Sequence, residues 1–91
     1  MPAVRTPAYY RAVERMASQV SERRRKQGWT QEDLAEKVGI SRNQVQNIEN
    51  NRNNTRGPDG RPGPANPNLD TVFALANALE CSVTDLIEPR H

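Results

Sequence analysis

Apolar residues in the first third of the chain recur at steps of three and four residues, the spacing of one face of an α-helix. The recurring positions are Tyr10, Val13, Met16 or Ala17, and Val20. Pro7 suits the first turn of such a helix, and Thr6 before it can cap the exposed N–H groups. Gly28 ends the pattern. The sequence therefore predicts one long amphipathic helix that begins at Pro7 and stops before Gly28.

Two short helices with a tight turn between them are predicted next. Thr30 can cap the first, whose opening turn carries acidic residues that suit the positive end of the helix dipole. Gly39 supplies the left-handed residue that ends it, and Ser41 then caps the second. Asn51 can end the second, because Asn tolerates the left-handed conformation next best after Gly. The pattern predicts a helix-turn-helix over residues 31–50, with inward side chains at Leu34, Ala35, Val38, Val45 and Ile48.

The chain beyond this unit has two parts. Residues 51–67 are rich in Asn, Gly and Pro and lack apolar periodicity, which predicts a long surface loop that is partly disordered. A loop of this length indicates a functional contact or a mobile segment. Residues 68–88 then predict two more helices, capped by Asn68 and Ser82. We expect the first of these to bury Leu69, Val72, Phe73, Leu75, Ala76 and Leu79.

These elements describe one all-α domain of 91 residues, a length that supports a single modest core. Residues 1–6 are predicted to be a flexible arm, and residues 7–91 the domain itself. No apolar stretch approaches the ~20 residues that span a bilayer, and the N-terminus lacks the apolar segment of a secretory signal. The single cysteine, Cys81, cannot form an internal disulfide, so a reducing cytoplasm is the expected compartment.

Charge is unevenly distributed along the chain, although the net charge is only +2. Four bases cluster at the predicted end of the first helix, and Arg42, Arg52, Arg56 and Arg61 follow. Beyond Arg61 the chain carries four acids before its next base, Arg90. A positive surface on the first two thirds of the chain fits binding of a polyanion, and it fits a solvated arginine-rich surface equally well.

The outward face of the third predicted helix is the most informative feature for function. It carries Arg42, Asn43, Gln46 and Asn47, with no acidic residue among them. Arg can donate two hydrogen bonds to guanine, and Asn or Gln can form two with adenine, so these side chains match base edges in the major groove. Asn is also a poor helix former, and its repeated use costs local stability that a functional role would explain. The face predicts a helix that binds duplex DNA.

Residue types and spacings between Arg24 and Leu86 match a known pattern. The matching residues are Arg24, Gly28-Trp29-Thr30-Gln31, Leu34-Ala35, Val38-Gly39-Ile40-Ser41, Val45, Ile48-Glu49-Asn50, Leu69 and Leu75-Ala76-Asn77-Ala78-Leu79. With these residues the chain resembles the lambda-repressor-like helix-turn-helix family (Cro-type, XRE-type) of bacteria and phages. The resemblance implies a five-helix DNA-binding domain, here with an extended N-terminal helix, and binding as a homodimer to an operator with two half-sites.

The resemblance also implies roles for individual residues. Base edges in the major groove would be contacted by Arg42, Asn43 and Asn47, with Gln46 as a further candidate. DNA phosphate or backbone would be contacted by Gln31 from a helix N-terminus, and by Ser41, Asn50 and Arg52. Arg24 and Glu49 match a partly buried ion pair that connects the first helix to the recognition helix, and this pair is expected to be structural.

Three positions depart from the family pattern. Asn51 and Glu80 stand where the family commonly has Gly. At Glu80 the turn after the fourth helix could therefore differ from that of the family. Cys81 stands where the family has a buried apolar residue, so we interpret it as a small core side chain rather than a redox switch. The enlarged loop departs most and could change how phosphates are bound.

Two classes of function are compatible with this pattern. The first is a sequence-specific regulator of transcription, a repressor that binds duplex DNA through residues 42–50. The alternative is an antitoxin or other protein-interaction module, in which partner binding is the main task and DNA binding is autoregulatory. Its partner surface would include Tyr9, Tyr10 and Val13. A homodimer surface could lie on the N-terminal extension or on the fifth helix, through Val83 and Ile87.

Catalysis finds little support in the sequence. The only histidine is the last residue, His91, and no serine or cysteine has a plausible base nearby in sequence. No cluster of side chains has the spacing of metal ligands. We therefore expect no enzymatic activity, no metal and no cofactor.

Overall fold

The computed structural model describes residues 6–52 and 67–88, which form five α-helices and no strand. The helices are α1 (Pro7–Lys26), α2 (Gln31–Val38), α3 (Arg42–Glu49), α4 (Leu69–Ala78) and α5 (Val83–Ile87). The all-α fold predicted from the sequence is confirmed. Most of the predicted arm (residues 1–5), most of the predicted loop (residues 53–66) and the C-terminus from residue 89 to His91 lie outside the described residues.

The start of every helix is set by a capping residue whose side chain accepts a hydrogen bond from the backbone three residues later. These caps are Thr6, Thr30, Ser41, Asn68 and Ser82, the five predicted from the sequence. Each cap satisfies an otherwise unpaired N–H group, which is typically worth ~1 kcal/mol. At α2 the Asp33 carboxylate also accepts from the Thr30 N–H (2.8 Å), and this hydrogen bond lowers the pKa of Asp33.

The core lies where α1 packs against α3 and α5 and where α2 packs against α3 and α4. It contains Val13, Met16, Val20, Leu34, Ala35, Val45, Ile48, Leu75, Ala76, Leu79 and Leu86. Burial of each large aliphatic side chain contributes ~1.5–3 kcal/mol. Because Val45 and Ile48 are buried on its inner side, α3 is held with its opposite side toward solvent.

The prediction for α4 is wrong at two positions. Leu69 and Phe73 were expected to be buried, but they are 70% and 59% exposed. α4 carries apolar residues around most of its circumference, and it packs mainly on α2 and α5 through the side that holds Leu75 and Leu79. Leu69 and Phe73 lie one turn apart on the opposite side, so the fold leaves them in solvent.

Glu80 follows α4 in the left-handed conformation (φ 55°), which glycine adopts most easily. Any residue with a Cβ is strained there by roughly 1–2 kcal/mol. Glu80→Gly relieves this strain, but glycine loses more conformational entropy on folding than glutamate does. The net result should be a rise of about 0.5–1 kcal/mol in the free energy of unfolding. Chemical denaturation measures this change, with Glu80→Ala as the control that keeps the Cβ. An equal gain in Glu80→Ala would contradict the explanation.

Candidate nucleic-acid interface

The turn between α2 and α3 is closed by backbone hydrogen bonds and a side-chain cap. The N–H groups of Gly39 and Ile40 both donate to the carbonyl of Ala35 (2.8 and 3.0 Å), and Gly39 adopts the left-handed conformation (φ 82°). At the start of α3, Ser41 Oγ accepts from the Gln44 N–H (3.1 Å), and Gln44 Oε1 accepts from the Ser41 N–H (2.9 Å). This reciprocal capping fixes the first turn of α3 relative to α2.

Gln44 has a role that the sequence reasoning missed. Its side chain is used to cap α3, which distinguishes it from the other polar residues of this helix. The spacing of Ser41 and Gln44 is that of a capping box, so the signal was present in the sequence.

The four residues predicted to contact bases share the solvent side of α3. Arg42 and Asn43 are exposed, and Gln46 and Asn47, one turn later, are half-buried. With 3.6 residues per turn, the four positions span roughly 140° of the helix circumference. The buried Val45 and Ile48 lie on the other side. The arrangement presents one row of guanidinium and amide groups on a helix whose position is fixed by the core.

The residues predicted to contact phosphate lie at helix ends that border this row. Gln31 is the first residue of α2, and Ser41 precedes α3. Asn50 caps the C-terminal end of α3, and Arg52 follows with its backbone N–H donating to the Asn47 carbonyl (2.9 Å). Ser41, Asn50 and Arg52 are exposed, whereas Gln31 is half-buried.

A carboxylate at the end of α3 connects three helices. Glu49 Oε2 accepts from Arg24 Nε (2.7 Å), and Glu49 Oε1 accepts from Arg24 Nη2 (3.0 Å). Arg24 Nη1 also donates to the Trp29 carbonyl (2.7 Å), and Gln31 Nε2 donates to Glu49 Oε1 (3.3 Å). The Arg24 and Glu49 side chains are only 11% and 5% exposed. The hydrogen bond to Glu49 raises the pKa of Arg24, which favours the charged guanidinium.

The contact between Gln31 and Glu49 was not expected from the sequence. It joins residues that are 18 positions apart, and it orients the amide at the N-terminus of α2. Gln31 is thus held by the same carboxylate that holds Arg24. Gln31, which was predicted to contact phosphate, therefore shares one hydrogen-bond network with the Arg24–Glu49 pair, which was predicted to be structural.

The proposed protein-partner surface on α1 needs correction. Val13 is only 4% exposed and belongs to the core, so it is not available to a partner. Tyr9 packs against the core and meets Tyr10 edge to face, with ring centroids 5.9 Å apart. Tyr10 is 47% exposed and is the member of the predicted set with the most accessible side chain. The N-terminal part of α1 therefore offers a smaller apolar surface than the sequence pattern indicated.

Cys81 is half-buried and packs against the core. Burial raises the pKa of its thiol, which disfavours the reactive thiolate. In the described part of the chain, no three His, Cys, Asp or Glu side chains are grouped so that they could hold a metal ion. No helix formed by residues 6–52 or 67–88 combines the length and apolar character needed to cross a membrane.

Comparison with known proteins gives matches in both sequence and structure. Residues 20–58 match the helix-turn-helix family model. The chain is 38% identical over 61 residues to antitoxin HipB of Escherichia coli K12, in an alignment that covers 67% of this chain and 56% of HipB. This chain thus spans about half the length of that curated relative.

Two solved structures share the fold over most of this chain. The P22 c2 repressor, crystallised with the synthetic operator 9T, superposes with a TM-score of 0.64 at 26% identity, covering 80% of this chain and 92% of the crystallised repressor chain. A chain of the HipA-HipB-O2-O3 complex superposes with a TM-score of 0.55 at 29% identity, covering 90% of each chain. The family model spans residues 20–58, which include the helix-turn-helix, and the two solved structures cover 80% and 90% of this chain. The chain therefore resembles the lambda-repressor-like helix-turn-helix family, in sequence over residues 20–58 and in fold over most of its length.

Proposed function

We propose that this chain is a sequence-specific regulator of transcription that inserts α3 into the major groove of duplex DNA. The observation that carries the proposal is the row of Arg42, Asn43, Gln46 and Asn47 on the solvent side of α3. The helix that bears the row is fixed by buried side chains and by a reciprocal cap, so base-contacting groups are positioned before binding. Contacts from this row to base edges would supply the specificity.

Contacts with phosphate would come from the helix ends beside the row. The N–H groups at the start of α2 and α3 favour an anion, and Gln31 and Ser41 lie at these two ends. Arg52 supplies a full charge after α3, and Asn50 a neutral contact. Each phosphate neutralised by a cation contributes about −0.9 to the slope of log K against log salt. With Arg52 and the solvent-exposed bases of α1 as cations, affinity should fall with salt.

A regulator of this kind would act as a homodimer on an operator with two half-sites, because one short recognition helix contacts too few base pairs for specificity. Binding at a promoter would exclude other proteins from the same DNA, so repression is the proposed outcome. The P22 c2 repressor, which has this fold, was crystallised on an operator. The proposed setting is the cytoplasm of a bacterium, and the proposed mechanism involves no catalysis and no cofactor.

The decisive experiment is selection of preferred sites from a pool of random DNA duplexes with the purified chain. Fluorescence anisotropy at several salt concentrations then compares the selected duplex with a scrambled one. We expect the selected site to bind at least about 10³-fold more tightly at physiological salt. Equal affinity for selected and scrambled duplexes would overturn the proposal.

A second candidate function is that of an antitoxin that also represses its own operon. Two similarities favour it: the sequence is similar to that of antitoxin HipB, and the fold is similar to that of a chain in the HipA-HipB-O2-O3 complex. The test is co-expression with the product of the adjacent gene. A stoichiometric complex on size exclusion, together with relief of that product's growth inhibition, would support this function. Absence of any complex would exclude that gene product as the toxin.

A further inference from the structure

The side chain of Gln31 is held by a contact within the protein. Gln31 is the first residue of α2 and is half-buried, and its Nε2 donates to Glu49 Oε1 (3.3 Å). A side-chain amide nitrogen carries two hydrogens, so this bond uses one of them and leaves the other for a further acceptor. A free glutamine side chain loses rotamer freedom when it binds a ligand, and at Gln31 part of this loss has already occurred on folding.

Glu49, which holds Gln31, is itself fixed by Arg24. The Arg24 Nε and Nη2 atoms donate to the two carboxylate oxygens of Glu49 (2.7 and 3.0 Å). Arg24 Nη1 donates to the carbonyl of Trp29 (2.7 Å), which lies two residues before the start of α2. A two-point contact between a guanidinium and a carboxylate fixes the orientation of both groups. The carboxylate that holds Gln31 therefore has its position set by α1, by α3 and by the chain that leads into α2.

The negative charge of Glu49 is balanced at a place where it could otherwise oppose DNA. An isolated carboxylate beside the N-terminal end of α2 would repel a phosphate and offset the attraction of the helix dipole. The Arg24 guanidinium forms an ion pair with this carboxylate, and the two side chains are only 11% and 5% exposed. Because the pair has no net charge, Glu49 can orient Gln31 without making this end of α2 more negative.

We propose that Glu49 is a positioning residue for DNA binding, which orients the Gln31 amide so that its second Nε2 hydrogen is donated to a phosphate oxygen. The inference rests on the proposed function, in which Gln31 contacts phosphate. It assigns to the Arg24–Glu49 pair a role in affinity in addition to the structural role expected from the resemblance. Because Glu49 is the last residue of α3, the same bond relates the position of the base-contacting row to a contact with the DNA backbone.

A purely structural pair and a positioning pair differ in one measurable respect. If the pair only stabilises the fold, Gln31 contributes equally to DNA affinity in any folded variant, with or without the pair. If Glu49 positions Gln31, the contribution of Gln31 depends on the presence of the pair. A double-mutant cycle measures this dependence directly.

The cycle combines Gln31→Ala with the paired replacement of Arg24→Met and Glu49→Leu, which leaves no buried charge without a partner. Thermal melts establish that every variant is folded, and anisotropy then measures affinity for the selected operator. We expect Gln31→Ala to weaken binding about tenfold in the parent, as for loss of a hydrogen bond to a charged group, and less than about twofold in the paired replacement.

Arg42→Ala is the control in the same cycle. Arg42 lies at the other end of α3, about 10 Å from Glu49 along the helix axis, so the two sites should be independent. The fold-change caused by Arg42→Ala should therefore be the same in the parent and in the paired replacement. If the effects of Gln31→Ala and Arg42→Ala both disappeared in the paired replacement, α3 would have moved as a whole and the proposal would be overturned. An unchanged tenfold effect of Gln31→Ala would overturn it too.

A measurement on the parent chain without DNA tests the positioning with no substitution. NMR relaxation should show that the side-chain amide of Gln31 is more ordered than that of Gln27, which is exposed at the end of α1. Equal mobility of the two amides would overturn the proposal, even if the paired replacement fails to fold. Failure of the proposed function is a separate result, namely equal affinity of the parent for selected and scrambled duplexes. The cycle then remains decisive on either duplex, because phosphate contacts do not depend on sequence.

Discussion

Glu49→Ala should lower the free energy of unfolding by about 3–5 kcal/mol, which is typical when one partner of a buried ion pair is removed. The Glu49 carboxylate accepts hydrogen bonds from Arg24 and Gln31, and its side chain is 5% exposed. Without it, the Arg24 guanidinium, 11% exposed, would keep its bond to the Trp29 carbonyl but lose its counterion. A charge held away from water without a partner is costly, so the fold is weakened.

Urea denaturation followed by helical circular dichroism measures the effect. Glu36→Ala is the matched control, because Glu36 is exposed on α2 and the same atoms are removed. The free energy of unfolding of Glu36→Ala should differ from that of the parent by no more than about 0.5 kcal/mol. Replacing both partners, as Arg24→Met with Glu49→Leu, should recover much of the loss, because no buried charge then lacks a partner. If Glu49→Ala were as stable as Glu36→Ala, the ion pair would have no structural role.

The elements that the sequence predicted correctly are those determined by local chemistry. Ser41 can cap a helix because of its own short side chain, and Gly39 can end one because it lacks a Cβ. The same local reasoning predicted which side of α3 faces solvent, since the apolar Val45 and Ile48 occupy the opposite side of this short helix. The Arg24–Glu49 contact was expected only from the family resemblance, because residues so far apart in the chain meet only in the folded structure.

The errors arose where the outcome depends on how helices pack. α4 is apolar on several sides, so periodicity alone could not show which side its neighbours would cover, and Leu69 and Phe73 were assigned to the core. Val13 was assigned to a protein-partner surface, but it lies in the core. Its burial depends on how α1 packs against its neighbours. The bond between Gln31 and Glu49 depends on side-chain rotamers at the meeting point of helices, which no local pattern specifies.

The proposed contribution of α3 to DNA specificity can be isolated at Arg42. This residue is exposed in the first turn of α3, with a guanidinium group that can form two hydrogen bonds with guanine. Arg42→Ala should weaken binding to the preferred operator by ~1–3 kcal/mol, or about 5- to 150-fold, and relax discrimination at one base pair. The measurement compares the selected operator with duplexes that carry each of the other base pairs at every position of a half-site.

Loss of a positive charge alone must be separated from loss of a base contact. Arg25→Ala is the control, because Arg25 is exposed on α1, outside α3, and the same charge is removed. Removal of a general electrostatic attraction should weaken all duplexes by a similar factor and leave the base preferences unchanged. Arg42→Ala should differ by reducing the preference at one position more than at the others. If its base preferences matched those of Arg25→Ala, Arg42 would contact the DNA backbone, and specificity would come from Asn43, Gln46 and Asn47.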